Sequence, residues 1–380
     1  MKRSREVFIT VMIFLLLFTA MAYGITWSTA KRITDNTLDD YSPDIALDGS
    51  NAYVVWTKDV GGDREIYFKK SVDGGETWSA LKRLTDNGES YSPIISVEGS
   101  NIYVVWSDNS SGRDLEIYFK KSIDGGDTWA IEQMLTNNAG DSIDPAIAVN
   151  GPNIYVVWTD QTPGDNEIYF RKSVDRGDTW LAEKRLTNNS GGSYRPEIAV
   201  DESNIYVVWY DNTTGEFEIY FKKSADGGDT WSNTKRITKT SGISASPDIG
   251  VDGSNIHVVW NDNTSGNNEI YFKKSVDGGD TWSISKRITK TSGISEVPAM
   301  AVDGSNIYVV WHDDTPGNYE IYFKESGDGG VTWTTSKRLT VTTGVSRNPA
   351  ITVNGSNISI VWWDNTRGNG EIFFKKGLRP

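Results

Sequence analysis

The sequence predicts an all-β fold, a closed ring of seven four-stranded blades whose last blade is completed by a strand from the N-terminal end of the chain. Three observations lead there. A Thr-Trp pair recurs with its tryptophan at Trp27, Trp78, Trp129, Trp180, Trp231, Trp282 and Trp333, always 51 residues apart. A second tryptophan closes a β-branched run in every copy, at Trp56, Trp106, Trp158, Trp209, Trp260, Trp311 and Trp362. Each copy also carries four short runs rich in Ile, Val, Tyr, Phe and Trp, separated by turn-forming Asp and Gly. Four antiparallel strands repeated at a fixed period are the signature of a β-propeller. The chain thus divides into a leader, residues 1–24, and one seven-bladed propeller, residues 25–380.

The leader is read as an export signal. Lys2, Arg3 and Arg5 precede an apolar stretch over residues 7–18, and Ala20, Ala22 and Gly24 offer small-residue cleavage sites. The apolar run is too short for the roughly 20 residues that span a bilayer. A secreted or cell-surface location is therefore expected.

Within the second full copy, strands are expected over residues 94–97, 101–107, 116–122 and 128–136. A Gly-Ser hairpin turn at Gly99 joins the first two, and a turn at residues 124–127 joins the last two. One position of the first run is small in every copy, as Ala46, Ser96, Ala148, Ala199, Gly250, Ala301 and Thr352, which suits strands converging on an axis. The last copy stops after its third strand, while residues 25–34 match the fourth strand of the others. This N-terminal segment should close the ring and remove an open edge.

The turn before each Thr-Trp pair fits S-x-D-x-G-x-T-W at residues 71–78, 122–129, 173–180, 224–231, 275–282 and 326–333. This pattern resembles the Asp-box, or bacterial neuraminidase repeat, of the sialidase-like propellers. The resemblance implies a structural role for Asp73, Asp124, Asp175, Asp226, Asp277 and Asp328 with Trp78, Trp129, Trp180, Trp231, Trp282 and Trp333. Asp accepts backbone N–H bonds in the turn, Gly takes the left-handed backbone, and Trp is expected to fill the blade core. In the family these boxes face away from the sialidase active site.

A site for one ligand must break the sevenfold sameness. Two sets of positions do so. The first precedes a proline in each copy: Tyr41-Ser42, Tyr91-Ser92, Ile143-Asp144, Tyr194-Arg195, Ala245-Ser246, Glu296-Val297 and Arg347-Asn348. These are expected to ring the mouth of the central channel. The second follows the strand tryptophan, at Thr57, Ser107, Thr159, Tyr210, Asn261, His312 and Trp363. Tyr41, Tyr91, Tyr194, Tyr210, His312 and Trp363 are candidates to stack on sugars, and Arg195, Arg347 and Glu296 to bond their polar groups. By contrast, the Asp two residues beyond each strand tryptophan (such as Asp108) and the Glu that opens each third strand (such as Glu116) recur nearly unchanged and read as loop braces. The basic pairs Lys69-Lys70, Lys120-Lys121 and Lys82-Arg83 read as a solvated rim.

Composition narrows the chemistry. The chain has no cysteine and a net charge of -13, which excludes thiolate catalysis and argues against nucleic-acid binding. No EF-hand spacing, P-loop or Ser-His-Asp arrangement is present, and neither a metal nor a cofactor is expected. His257 stands at a strand position held by Tyr in most copies and reads as packed. A sialidase would need a three-arginine clamp, and Tyr194-Arg195-Pro196 matches the family's Phe/Tyr-Arg-Ile-Pro motif only without its Ile. Arg347 is a second clamp candidate, with Arg64, Arg113 or Arg367 as the third. No catalytic residue can be assigned. The favoured function is a monomeric module that binds a glycan or a cell-surface protein. The alternatives are an exo-sialidase or related glycoside hydrolase, and a surface scaffold without a small ligand.

Overall fold

A computed structural model describes residues 24–86, 88–112 and 114–380; most of the leader and Arg113 lie outside them. Among the described residues every regular element is a strand, and no helix is long and apolar enough to cross a membrane. Blade 1 comprises Asp40–Asp48, Asn51–Val60, Asp63–Ser71 and Lys82–Arg83, ordered from the axis outward and paired antiparallel. Five further blades repeat this order. Blade 7 joins Ser346–Asn354, Asn357–Asp364 and Glu371–Leu378 to Thr26–Trp27 and Lys31–Arg32, so the N-terminal segment supplies its outermost strand as expected.

Strand lengths differ from expectation at both ends of a blade. In blade 2 the innermost strand runs longer, Ser90–Glu98, and the outermost pairs only over Gln133–Met134. The extra inner residues continue past a bulge between Tyr91 and Ile94. The outer strand is short because only one side of it has a partner, and its neighbour Ile131 is 89% exposed.

The core is seven cores, one between each pair of neighbouring blades. Ala46, Val55, Ile66 and Phe68 of blade 1 pack with Ile95, Val104 and Trp106 of blade 2, and the pattern repeats around the ring. The seven strand tryptophans are at most 1% exposed. Burying one removes roughly 150–250 Å² from water, about 4–6 kcal/mol gross at 25 cal/mol per Å². His257 is buried too, stacked on Phe272 where other blades place a tyrosine on phenylalanine, and burial pushes its imidazole down to about 4. At Gly250 an added Cβ would stand 2.4 Å from Val302 of the next blade, which shows how tightly the inner strands converge.

The box tryptophans do not fill their own blade. Trp129 is half-buried and meets Phe68 of the preceding blade edge to face, with centroids 5.2 Å apart; Trp180 does the same with Phe119 at 5.0 Å. Within the box, Asp124 accepts the Thr128 N–H and hydroxyl, while Ser122 Oγ accepts the Gly126 N–H at 2.9 Å. The Thr128 hydroxyl, first among these contacts, holds the Asp124 carboxyl well below the usual range. Gly126 has φ +86°, and a Cβ there would strike the Phe68 ring at 2.6 Å.

The basic pairs are latches rather than a solvated rim. Lys120 Nζ donates to the Leu84 carbonyl of the preceding blade, and Lys121 Nζ to Arg176 O and Asp178 of the next box. Arg185 turns inward to Glu167 of its own blade. The ring closes in the same way, with Lys69 bonding Ile33 O and Lys375 bonding Leu339 O.

Candidate functional site at the channel mouth

Each innermost strand enters through the same distortion. The residue before proline has a left-handed backbone in all seven blades, with φ from 45° at Arg195 to 52° at Asp144. Proline lacks the N–H a ladder needs, so the strand bulges there and pushes two residues out of register. Those bulges line the top of the central channel, a cavity of about 410 Å³ bordered by Ser42, Ser92, Asp144, Arg195, Ser246, Val297 and Asn348. Val297 is the one β-branched residue held in this conformation, which is strained for its shape.

The residues one place earlier, Tyr41, Tyr91, Ile143, Tyr194, Ala245, Glu296 and Arg347, stand opposite the second variable set across the strand pair. Tyr194 faces Tyr210, Glu296 faces His312 and Arg347 faces Trp363. That second set is less accessible than a ligand ring requires. Thr57, Ser107, Thr159, Asn261 and His312 are buried, and Tyr210 and Trp363 are half-buried. Two of them tie blades together: Thr159 Oγ1 accepts the Arg195 N–H at 3.1 Å, and His312 Nδ1 accepts the Asn348 N–H at 3.5 Å. Trp363 packs against Gly370, where a Cβ would come within 2.0 Å of its indole nitrogen.

A third variable set completes the mouth, and the sequence reading missed it. Arg64, Leu115, Asn166, Phe217, Asn268, Tyr319 and Gly370 immediately precede the recurrent Glu. Six of the seven, all but Arg64, give their carbonyl to the next blade, as when the Ser346 N–H donates to Tyr319 O at 2.8 Å. Variation beside an invariant brace was the available signal. It looked like loop noise because the contacts that give it meaning run between blades.

The three sets meet in three sectors. On blade 4, Tyr194 and Tyr210 stack at 5.5 Å with Phe217 edge-on to both, and Arg195 projects beside Asp144 at 3.8 Å with its side chain 53% exposed. On blades 6 and 7, the exposed Arg347 lies 4.2 Å from the Tyr319 ring centroid, His312 meets that ring edge-on, and Glu296 stands 3.8 Å from His312 while accepting from Asn268. The contact with His312 draws the Glu296 carboxyl down. On blades 1 and 2, Arg64 sits between Tyr41 and Tyr91, 5.5 and 5.1 Å from their centroids. Glu296 and Arg347 therefore converge, while Tyr194 and Arg195 belong to a separate sector. Arg367 is exposed in the loop between Asn357–Asp364 and Glu371–Leu378 of blade 7.

Beneath the mouth the channel is acidic. Asp44, Glu197 and Asp248 follow the prolines of blades 1, 4 and 5 and border the cavity. Asp44 accepts the Ile95 N–H and Asp248 the Met300 N–H, each bridging to the inner strand of the next blade. Burial pushes Asp44 up to about 6 and Asp248 to about 7, and, with the help of the neighbouring carboxylates, holds Glu197 well above its ordinary value. The recurrent carboxylates behave differently: Asp108 accepts from Trp106 Nε1, Ser90 Oγ and Ser110 N, and Glu65 from Arg83 and Thr85, as expected of braces.

A closed ring of Asp-box blades with an asymmetric mouth defines a sialidase-like β-propeller. The chain belongs to the BNR repeat-like domain family, whose model matches residues 100–339. It is similar to a sialidase of Bacteroides fragilis, 24% identical over 273 residues, covering 59% of this chain and 49% of the relative; the chain thus spans about half that protein's length. Among solved structures it is similar in fold to a PL25 ulvan lyase, with TM-score 0.65, 13% identity and coverage of 89% and 93% of the two chains. A Hadza microbial sialidase superposes with TM-score 0.53 and 15% identity over 85% of this chain and 73% of the other.

Proposed function

We propose that this chain is an exported module that binds glycans at the channel mouth without cleaving them. One observation carries the reading: blades that are near copies elsewhere diverge at the mouth, where arginines and tyrosines gather. Stacked aromatics suit sugar faces, and guanidinium groups suit the carboxylates or sulfates that many glycans bear. The relatives support glycan as the ligand class, since one is a sialidase and another is a polysaccharide lyase solved bound to -[GlcA(1-4)Rha3S]-. Binding is favoured over sialoside hydrolysis because the three arginines have separate partners, Arg64 at Tyr41 and Tyr91, Arg195 at Asp144 and Arg347 at Tyr319. Export rests on the basic and apolar leader.

The test is a glycan array run beside a fluorogenic sialoside. Retention of some glycan, weakened in Arg195→Ala at unchanged melting temperature, is expected with no release of sialic acid. Turnover abolished by Arg195→Ala would establish a hydrolase instead, and retention of no glycan would remove the binding reading altogether.

A further inference from the structure

We propose that the ligand is an anionic polysaccharide chain lying across the mouth, held at two separate anionic groups by Arg195 on one side and Arg347 on the other. This deepens the glycan-binding reading and rests on it. Blades 4 and 7 are three steps apart in a ring of seven, the greatest separation the ring allows, so the two guanidinium groups approach the mouth from opposite sides and suit two anionic groups. Each is presented for contact. Arg195 is 53% exposed with a loose 3.8 Å pairing to Asp144, and Arg347 is exposed above the Tyr319 ring at 4.2 Å. Arg64 differs, because tyrosines flank it on both sides.

The channel floor sets the ligand's course. Asp44, Glu197 and Asp248 border the cavity between the two arginines, so an anionic group finds its cations at the rim and is repelled from the axis once these carboxyls ionise. A neutral sugar would leave both arginines unused, and a single terminal acid would use one. A chain with repeated charges engages both, and the second contact is then intramolecular.

Calorimetric titration with three oligosaccharide series, one to eight units long, tests this: oligogalacturonides carrying carboxylates, carrageenan fragments carrying sulfates, and neutral maltooligosaccharides. Affinity should rise about tenfold or more with length in at least one anionic series, which identifies the anionic group, and stay flat in the neutral one. Arg195→Ala and Arg347→Ala should each abolish that length gain in protein of unchanged melting temperature. Sulfate does not titrate near neutrality, so sulfated fragments should also bind more tightly at pH 5.5 than at pH 8. The groups facing that part of the mouth are Asp44, Asp144, Glu197, Asp248 and Arg195, and its carboxylates gain protons as pH falls. Glycan binding with no length dependence in either anionic series, or equal affinity for the neutral one, would overturn this proposal and leave the binding reading standing. Absence of binding to any glycan would overturn both.

Discussion

In six blades the first residue of the inner strand is a serine whose hydroxyl is placed to meet the brace Asp of the second strand, as Ser90 meets Asp108. Blade 1 exchanges the two roles, with Asp40 at the serine position and Lys58 at the aspartate position. Asp40 now accepts from Trp56 Nε1 at 2.9 Å, and Lys58 Nζ stands 3.4 Å from it, both side chains buried. Burial raises the Asp40 carboxyl, and Lys58 is the first of the contacts that oppose the rise. A buried carboxylate that loses its cation is costly, so Lys58→Ala should destabilise by about 3–5 kcal/mol. The double variant Asp40→Ser with Lys58→Asp rebuilds the pair used elsewhere and should recover most of that loss. Urea denaturation of the three proteins checks it. If the double variant is no more stable than Lys58→Ala, the exchange is not a compensated pair.

At the scale of the element, the Asp-box works as a joint between blades. Its Ser-Asp-Thr bonds shape the turn, its glycine clears space for a phenylalanine of the preceding blade, and its tryptophan covers that same ring. Trp180→Ala uncovers Phe119 but leaves a half-buried site that solvent can partly fill. A loss of about 2–4 kcal/mol is expected, below that of the fully buried Trp158→Ala, with glycan binding retained in folded protein. Equal losses from the two variants would contradict the half-buried placement, and lost affinity at full stability would contradict a structural role for the box.

At the scale of the whole molecule, ring closure and the acidic channel each have a measurable consequence. Deleting residues 25–34 removes the outermost strand of blade 7, the partner ring for Phe323 and the Lys31 latch to the first box. The truncated protein should melt lower and self-associate through the exposed edge of Glu371–Leu378. Unchanged melting of a monomer would refute closure. The channel acts through pH. Asp44 and Asp248 have folded values near 6 and 7, above the ordinary value near 4, so the folded state binds more protons than the unfolded chain between these limits. Their contribution to stability is therefore full below about pH 4 and is lost as pH rises through about 7. Asp44→Asn with Asp248→Asn keeps an acceptor for the strand N–H groups and removes the titration. Its melting temperature should fall less than the parent's between pH 5 and 8; parallel curves would show that the channel is not the source.

The blade count, the closing strand, the box turns and the division between braces and variable positions were legible in the sequence. All of these follow from local pattern: a period of 51 residues, alternation along strands, and turn residues whose backbone preferences act within a few positions. What it left undecided lies between blades. Lys120 and Lys121 read as surface charge until the carbonyls 36 and 55 residues away came within reach, and Trp129 read as filling its own blade until Phe68 met it. The mouth is the clearest case. His312 and Trp363 are sheltered by neighbouring residues, while Tyr319 and Arg347, 28 positions apart, make a paired surface. Only the tertiary structure could decide these points, because a ring brings each strand against a neighbour one full repeat away, and a residue's exposure there depends on the size of whatever that neighbour presents.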